Sequence, residues 1–488
     1  LRPNVIVVGS GAAGAALAHR LTADPTMSVL VLEAGPRLRP DVVATPARWP
    51  ETLGGPFDYG YRTTPQAALG GRVLDYPRGR LLGGTTMLNA MIHAVPPAAD
   101  LDAWGPDWSA DQLRGALAAL DGGQRRGATG PALNRPVPEP NPLSVAFVEA
   151  CTEAGHERVA DLNDTDEDGV GWMDLALTDE GSRADAALTY LDPITARPNL
   201  EIRSDSTVER ILFEDGRVHA LQLRTGDRGH SELPVDGAEV ILCAGAIDSP
   251  GLLLRSGIGP RAELAAAGVP LRHDLRGVGR NLHDHPLVPV VWRCEQPVEP
   301  PTAQFFESQL VLRHDPRSPG ALAIAFGHIP FGAPDVEHGA SALIGLYGPH
   351  SRGSLRLDPD DPDGALLIDP ALLADDRDLA AARRGVEVVR EVATRSALAP
   401  FGLTELAPLA EGADLDGAIA QLTGSFMHPV GTCALGDGPD AVVGRDLLVR
   451  GFANLRVADA SVIPRIPSVA TSVSAQLIGW RLAERMVG

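Results

Sequence analysis

The chain reads as an α/β protein, α+β when taken whole, and three features of its first thirty-five residues say so. Val5-Ile6-Val7-Val8 is a short apolar run, of the length of a buried parallel strand. Gly9, Gly11 and Gly14 follow at the spacing of a dinucleotide-binding turn, and Ala12 to Leu21 is rich in Ala and Leu. A second apolar run, Val29 to Leu32, ends on Glu33, about twenty positions past the glycines. Strand, turn, helix, strand and terminal acid in this order predict a Rossmann-like unit.

Each part has a physical job. Gly9 permits the tight turn out of the strand, Gly11 lets a pyrophosphate approach the backbone, and Gly14 lets the helix pack closely on the strand. The free N–H groups at the helix start, with the positive end of its dipole, favour phosphate. Glu33 can accept from a ribose 2′-hydroxyl and would repel a 2′-phosphate. That disfavours NADP and leaves NAD or FAD.

The rest of the composition sets bounds. At 488 residues, two domains or one elaborated domain is the prior. The formal net charge of −21 argues against nucleic acid and anionic membranes as partners. Every basic side chain is Arg, which excludes lysine chemistry such as a Schiff base or the P-loop lysine. Cys151, Cys243, Cys294 and Cys433 form no CxxC pair and no metal-ligand spacing, so no metal site is expected. They read as buried thiols of a reducing compartment. With no apolar run of transmembrane length and no signal-peptide pattern, the expectation is a cytoplasmic bacterial protein.

Further along, Leu101 to Leu120 has helical spacing, and Gly122 to Pro142 is a loop or lid candidate. Thr207 to Phe213, an Asp215-Gly216 turn and Val218 to Leu223 predict a hairpin. Glu239 to Leu242 is another buried strand. Between Pro300 and Leu403, strand-like runs such as Ala321 to Phe326 alternate with turns, then Asp378 to Arg395 looks helical. That suits a separate sheet-bearing substrate region. Asn454 to Asp459 is a strand that stops on an acid, and Ser474 to Met486 is a helix.

Four more segments carry a resemblance. They are Arg78 to Met91 (RGRLLGGTTMLNAM), Gly245 to Gly259 (GAIDSPGLLLRSGIG), Gly277 to Pro286 (GVGRNLHDHP), and His428 to Gly436 (HPVGTCALG) paired with Asn454 to Ser461 (NLRVADAS). With the N-terminal fingerprint they resemble, in order and over essentially the whole chain, the glucose–methanol–choline (GMC) oxidoreductases. The resemblance implies a Rossmann-like FAD-binding domain assembled from 1–40, 76–105, 195–290 and 425–488. A substrate domain with an antiparallel sheet, plus connections, would take 41–75, 106–194 and 291–424. Gly9, Gly11, Ala12, Gly14, Glu33 and Ala34 would hold the ADP half, and the backbone of Val208 would meet the adenine. Arg80, Gly83, Gly84, Asn89 and Met91 would lie along the flavin and pyrophosphate, with Asp459 and Ala460 approaching from the C-terminal strand. The alternative for Asp459 is a cap or strand-end acid, which its flanks disfavour.

The implied reaction is oxidation of a small-molecule alcohol to an aldehyde or ketone. A hydride goes to flavin N5, His428 acts as general base, and dioxygen or another acceptor takes the electrons. A neutral imidazole can remove the hydroxyl proton near physiological pH. His283 and His285 read as structural hydrogen-bonding residues near the domain junction.

The chain departs from the family pattern where a second His or Asn usually stands before the final helix. Ser472 aligns there, with Val473 beside it, and Ser472 or an ordered water is expected to contact the substrate oxygen. His328, His350 and Arg352 are weaker candidates from the substrate sheet. Leu88 replaces a histidine that some relatives join to the flavin, so the FAD is expected to be non-covalent. The departure at Ser472 keeps one alternative open, a non-oxidative lyase or decarboxylase on the same scaffold. Low aromatic content weakens a long-chain or sterol substrate, and the acidic balance does not favour an anionic one. A polar or modest-sized alcohol is the expectation.

Overall fold

In the computed structural model, residues 2–164, 166–225, 229–318, 320–407 and 414–488 are described, without the side chain of Arg125. Five strands form a parallel sheet in the order Leu455–Val457, Glu239–Leu242, Val5–Val8, Val29–Leu32, Leu200–Arg203. All five come from the segments expected to form the nucleotide half. Val5–Val8 and Val29–Leu32 are buried throughout, which is why they read as unbroken apolar runs rather than as alternation. The helix Ala12–Leu21 packs on the C-terminal helix Ser472–Val487. The approach is so close that a Cβ on Gly479 would lie 2.1 Å from the Ala13 carbonyl oxygen. This contact draws the C-terminal segment back to the glycine-rich turn.

The predicted hairpin is present as Ser206–Glu214 and Arg217–Thr225, and its turn residues Asp215 and Gly216 both have positive φ. Leu101 to Leu120 is not one helix. It divides into Ala98–Asp102, a 3-10 turn Pro106–Trp108 and Ala110–Leu120, because Gly105 takes φ +107° and Pro106 cannot continue a helix. Trp108, Leu113, Ala116 and Leu120, with Tyr190, Leu191 and Ile194, join the core of the parallel sheet. Those parts of 106–194 therefore pack with the nucleotide half, which argues for moving that boundary.

The second sheet is antiparallel along its main path. Its order is Thr404–Glu405, Pro286–Arg293, Gly339–Leu346, Leu322–Gly327, Phe306–Leu312, Gly169–Trp172, and Gly424–Ser425 pairs with the start of Pro286–Arg293. Alternate residues serve two faces. Val288, Leu310, Ile324 and Ile344 enter a core shared with the helices Pro142–Glu153 and Asp376–Ala393. Leu287, Ala325 and Leu343 face the other way, toward Met91 and Met173. Among the described residues no helix is long and apolar enough to cross a membrane.

Candidate active site

The glycine-rich turn has the backbone that the spacing requires. Gly9 takes φ +101°, and a Cβ there would sit 2.5 Å from the Cys243 carbonyl oxygen. A Cβ on Gly14 would sit 2.1 Å from the Gly9 oxygen. Gly11 meets Gly84 backbone to backbone, and a Cβ on Gly84 would lie 2.8 Å from the Gly11 Cα. Two glycine loops thus form a cradle that side chains would fill. The helix Ala12–Leu21 has no side-chain cap at Gly11, so its first N–H groups, beginning at Ala12, remain available to an anion.

Glu33 is buried at the end of its strand, and burial pushes its carboxyl pKa up. Ser10 Oγ donates to Glu33 at 2.6 Å and the Gly35 N–H at 2.8 Å. The Gly83 N–H in turn donates to Ser10 Oγ at 3.1 Å, coupling the two glycine loops through one serine. Ala34 follows Glu33, and Gly35 lies against the Arg80 backbone, where a Cβ would come within 2.2 Å. Val208 lies two residues beyond Ser206, whose N–H donates to the Glu33 carbonyl. Asn89 Oδ1 accepts from the Met91 N–H at 3.1 Å and from the buried Arg183 guanidinium at 2.9 Å.

The Asp459 side chain caps the turn that follows its strand. Its carboxylate accepts from the Gly245 and Ser461 N–H groups, each at 2.8 Å, and from Ser249 Oγ at 2.6 Å. The capping role set aside above is therefore what its side chain performs. The Ala460 carbonyl accepts from the Gly431 N–H, tying the His428 segment to this strand end.

His428 is placed by distant residues. Asp284 Oδ1 accepts the backbone N–H of both His285 and His428 at 2.8 Å, while its Oδ2 accepts from Tyr76 and Ser425 hydroxyls. The Arg78 guanidinium donates to the Met427 carbonyl at 2.7 Å. The two histidine rings meet edge to face, with Nδ1 to Nδ1 at 3.0 Å, and His285 Nε2 lies 3.0 Å from the Pro467 carbonyl oxygen.

These two distances assign the protons. A carbonyl only accepts, so neutral His285 carries its hydrogen on Nε2 and its Nδ1 must accept. His428 Nδ1 is therefore the donor, and His428 Nε2 is left with the lone pair. Burial, helped by the Arg78 charge, pushes the His428 pKa down to about 3, and burial lowers His285 as well. Both rings are neutral at ordinary pH.

Other candidates lie elsewhere. Ser472 opens the C-terminal helix and accepts from Gln476 Nε2 at 3.3 Å, and it lines a cavity with Asn89 and Met91. Among the described hydrogen bonds none joins it to His428. His328 is buried, and neither ring nitrogen has a partner among the described residues. Arg352 donates to the Pro349 and Ser351 carbonyls, and the His350 N–H donates to Asp378, so neither bond points to His428.

His285 makes the structural hydrogen bonds expected of it, and one of them fixes the orientation of the His428 ring. The only sequence signal was its place in the GVGRNLHDHP segment. His93 and Arg313 were missed. They line a second cavity that shares Ile92 and His93 with the first. Gly122 to Pro142 is held down by Arg126, which pairs with Asp121, Asp161 and Asp174.

A parallel-sheet dinucleotide cradle beside an antiparallel sheet, with a neutral histidine where the two meet, defines a cofactor-dependent oxidoreductase. Residues 4–287 and 349–479 each match a family model described as GMC oxidoreductase. Pyridoxine 4-oxidase of Microbacterium luteolum is 34% identical, with 97% of each chain covered. Oxygen-dependent choline dehydrogenase of Klebsiella pneumoniae is 33% identical over 99% of this chain and 95% of that one. The crystal structure of pyridoxine 4-oxidase from Mesorbium loti superposes with a TM-score of 0.93, at 34% identity and 99% coverage of both chains. The chain belongs to the GMC oxidoreductase family. It is an FAD-dependent enzyme of CH–OH donors, and nothing among these relatives supports the lyase or decarboxylase alternative.

Proposed function

We propose that His428 Nε2 takes the hydroxyl proton of a small alcohol while the carbinol carbon gives up its hydride. FAD, when bound, supplies the two-electron acceptor for that hydride. The residues that would hold it are the Gly9–Gly14 turn, Glu33 and the Gly83–Asn89 loop, and the cradle between Gly11 and Gly84 supports that fit.

The proton arrangement at His428 carries this reading. Its Nδ1–H is engaged by His285, so the imidazole cannot turn its other nitrogen away without breaking that bond. Phe426 stacks on the ring, with centroids 5.8 Å apart and planes 12° from parallel. The lone pair on Nε2 is thus held in one direction, which lowers the reorganisation needed for proton transfer. Ser472 is proposed as a lesser contact, through its hydroxyl or a water.

The test is anaerobic reduction of the holoenzyme by a panel of small alcohols. Bleaching of the flavin by at least one alcohol, slowed by about 10²–10⁴-fold in His428→Ala, is expected. Equal rates in the two proteins would overturn the assignment. Leu88 has no nucleophilic atom, so we also propose that FAD is held non-covalently. Acid precipitation is expected to leave the yellow colour in the supernatant.

A further inference from the structure

The second cavity contains polar atoms that the protein itself does not satisfy. His93 is 5% exposed and its Nε2 has no partner among the described residues; Arg313 Nε, on the same wall, is also buried and unpartnered. Leaving such atoms buried and unpaired is unfavourable, so a partner is expected from whatever fills the space.

The strand Phe306–Leu312 explains how these groups are arranged. Leu310 and Leu312 point into the helix-covered core, so Gln309, Val311 and then Arg313 line the cavity. Gln309 marks the reaction end, because it hydrogen-bonds the Tyr347 hydroxyl, and the Tyr347 ring stacks on His285 at 4.3 Å. Arg313 lies four residues on, about 13 Å along the strand. The rest of the lining mixes apolar side chains, Ile92, Met173 and Val469, with the polar Asn163, Asp174 and Ser468.

The Arg313 guanidinium is short of partners despite acidic neighbours. Its Nη1 donates to the Glu167 carbonyl at 3.3 Å, and among the described residues it makes no ion pair. Asp100, Asp166 and Asp168 lie around it. Asp100 is committed to the Ser468 N–H and hydroxyl, at 2.6 and 2.7 Å, and Asp168 to the backbone N–H groups of Arg313 and His314. Burial lowers the Arg313 pKa, and these carboxylates oppose that shift without saturating its donors.

We propose that the substrate is a compact alcohol with an apolar body and an anionic oxygen group, such as a carboxylate, remote from the carbinol carbon and bound by Arg313. This rests on the reading of His428 as base, which fixes the reacting end. It also revises the expectation drawn from the net charge: the −21 of the whole chain does not set the potential inside one cavity.

Benzoate and its neutral isostere benzamide are the probes, titrated into oxidised holoenzyme while the flavin absorbance is followed. The expected result is benzoate binding about tenfold or more tighter than benzamide, a preference lost in Arg313→Met and partly kept in Arg313→Lys. In turnover, 4-(hydroxymethyl)benzoate should exceed benzyl alcohol in kcat/KM by a similar factor, with Arg313→Met acting on KM. Equal affinities, tighter benzamide, no spectral response to benzoate, or a preference unchanged in Arg313→Met would overturn the proposal. Retained flavin absorbance in the variants shows that they fold. Anaerobic bleaching of the Arg313→Met flavin by neutral alcohols tests the His428 reading separately, because it does not use the arginine.

Discussion

The two halves of this molecule place function in different ways. In the nucleotide half the important property is backbone: Gly9, Gly14 and Gly84 sit where a Cβ would strike a carbonyl or another Cα. In the substrate half it is side-chain chemistry on a sheet of ordinary sequence, where Gln309, Val311 and Arg313 line the cavity. His428 lies where the halves meet and belongs to neither style, since its position depends on Asp284, His285, Arg78 and Pro467 together.

The comparison is sharpest if it is broken at the glycines. Gly14→Ala puts a methyl 2.1 Å from the Gly9 carbonyl oxygen. The expected outcome is loss of bound flavin and a destabilisation of about 3 kcal/mol, read from the flavin-to-protein absorbance ratio and from thermal unfolding. A protein that keeps its cofactor and Tm would mean that the turn is looser than described.

Next in size is the meeting point itself. His285→Phe keeps a ring against Tyr347 but removes the acceptor of the His428 Nδ1–H. Flavin reduction should slow on the order of tenfold, less than in His428→Ala, with flavin content unchanged. A rate equal to the parent's would show that the ring pair does not orient the base.

The pH profile tests the same pair without mutation. With its pKa lowered to about 3, His428 loses base function only as pH falls toward that value, and it stays neutral as pH rises. The log of kcat/KM should therefore show no limb from this group between about pH 5 and about pH 8, whereas an ordinary histidine would give one near 6.5. An acid limb near 6.5 that disappears in a His428 variant would contradict the described burial.

The smallest effect is expected at Ser472. Its described bond goes to Gln476, and Ser472→Ala should change turnover by less than about threefold. A larger loss would bring the serine into the mechanism and weaken the case for a lone imidazole.

Much of the nucleotide half was legible because its requirements are local. A strand, a turn of positive φ and a close helix contact are written in contiguous residues, and Glu33 closes the pattern at a fixed spacing. The hairpin at Asp215-Gly216 was legible for the same reason. The helix across Leu101 to Leu120 was not, because apolar periodicity continued through a Gly105-Pro106 break. The flanks of Asp459 do not show that its carboxylate accepts from three donors, two of them more than 200 positions away in the chain.

By itself, then, the sequence determined the nucleotide-binding unit and the family, since each depends on residue types at short, ordered spacings. Tertiary structure alone decided which nitrogen of His428 holds the lone pair, what Asp459 caps and which arginine faces the cavity. The physical reason is that proton positions and local charge depend on partners brought together by folding: Pro467 with His285, His285 with His428, and a strand face with the opening beside it.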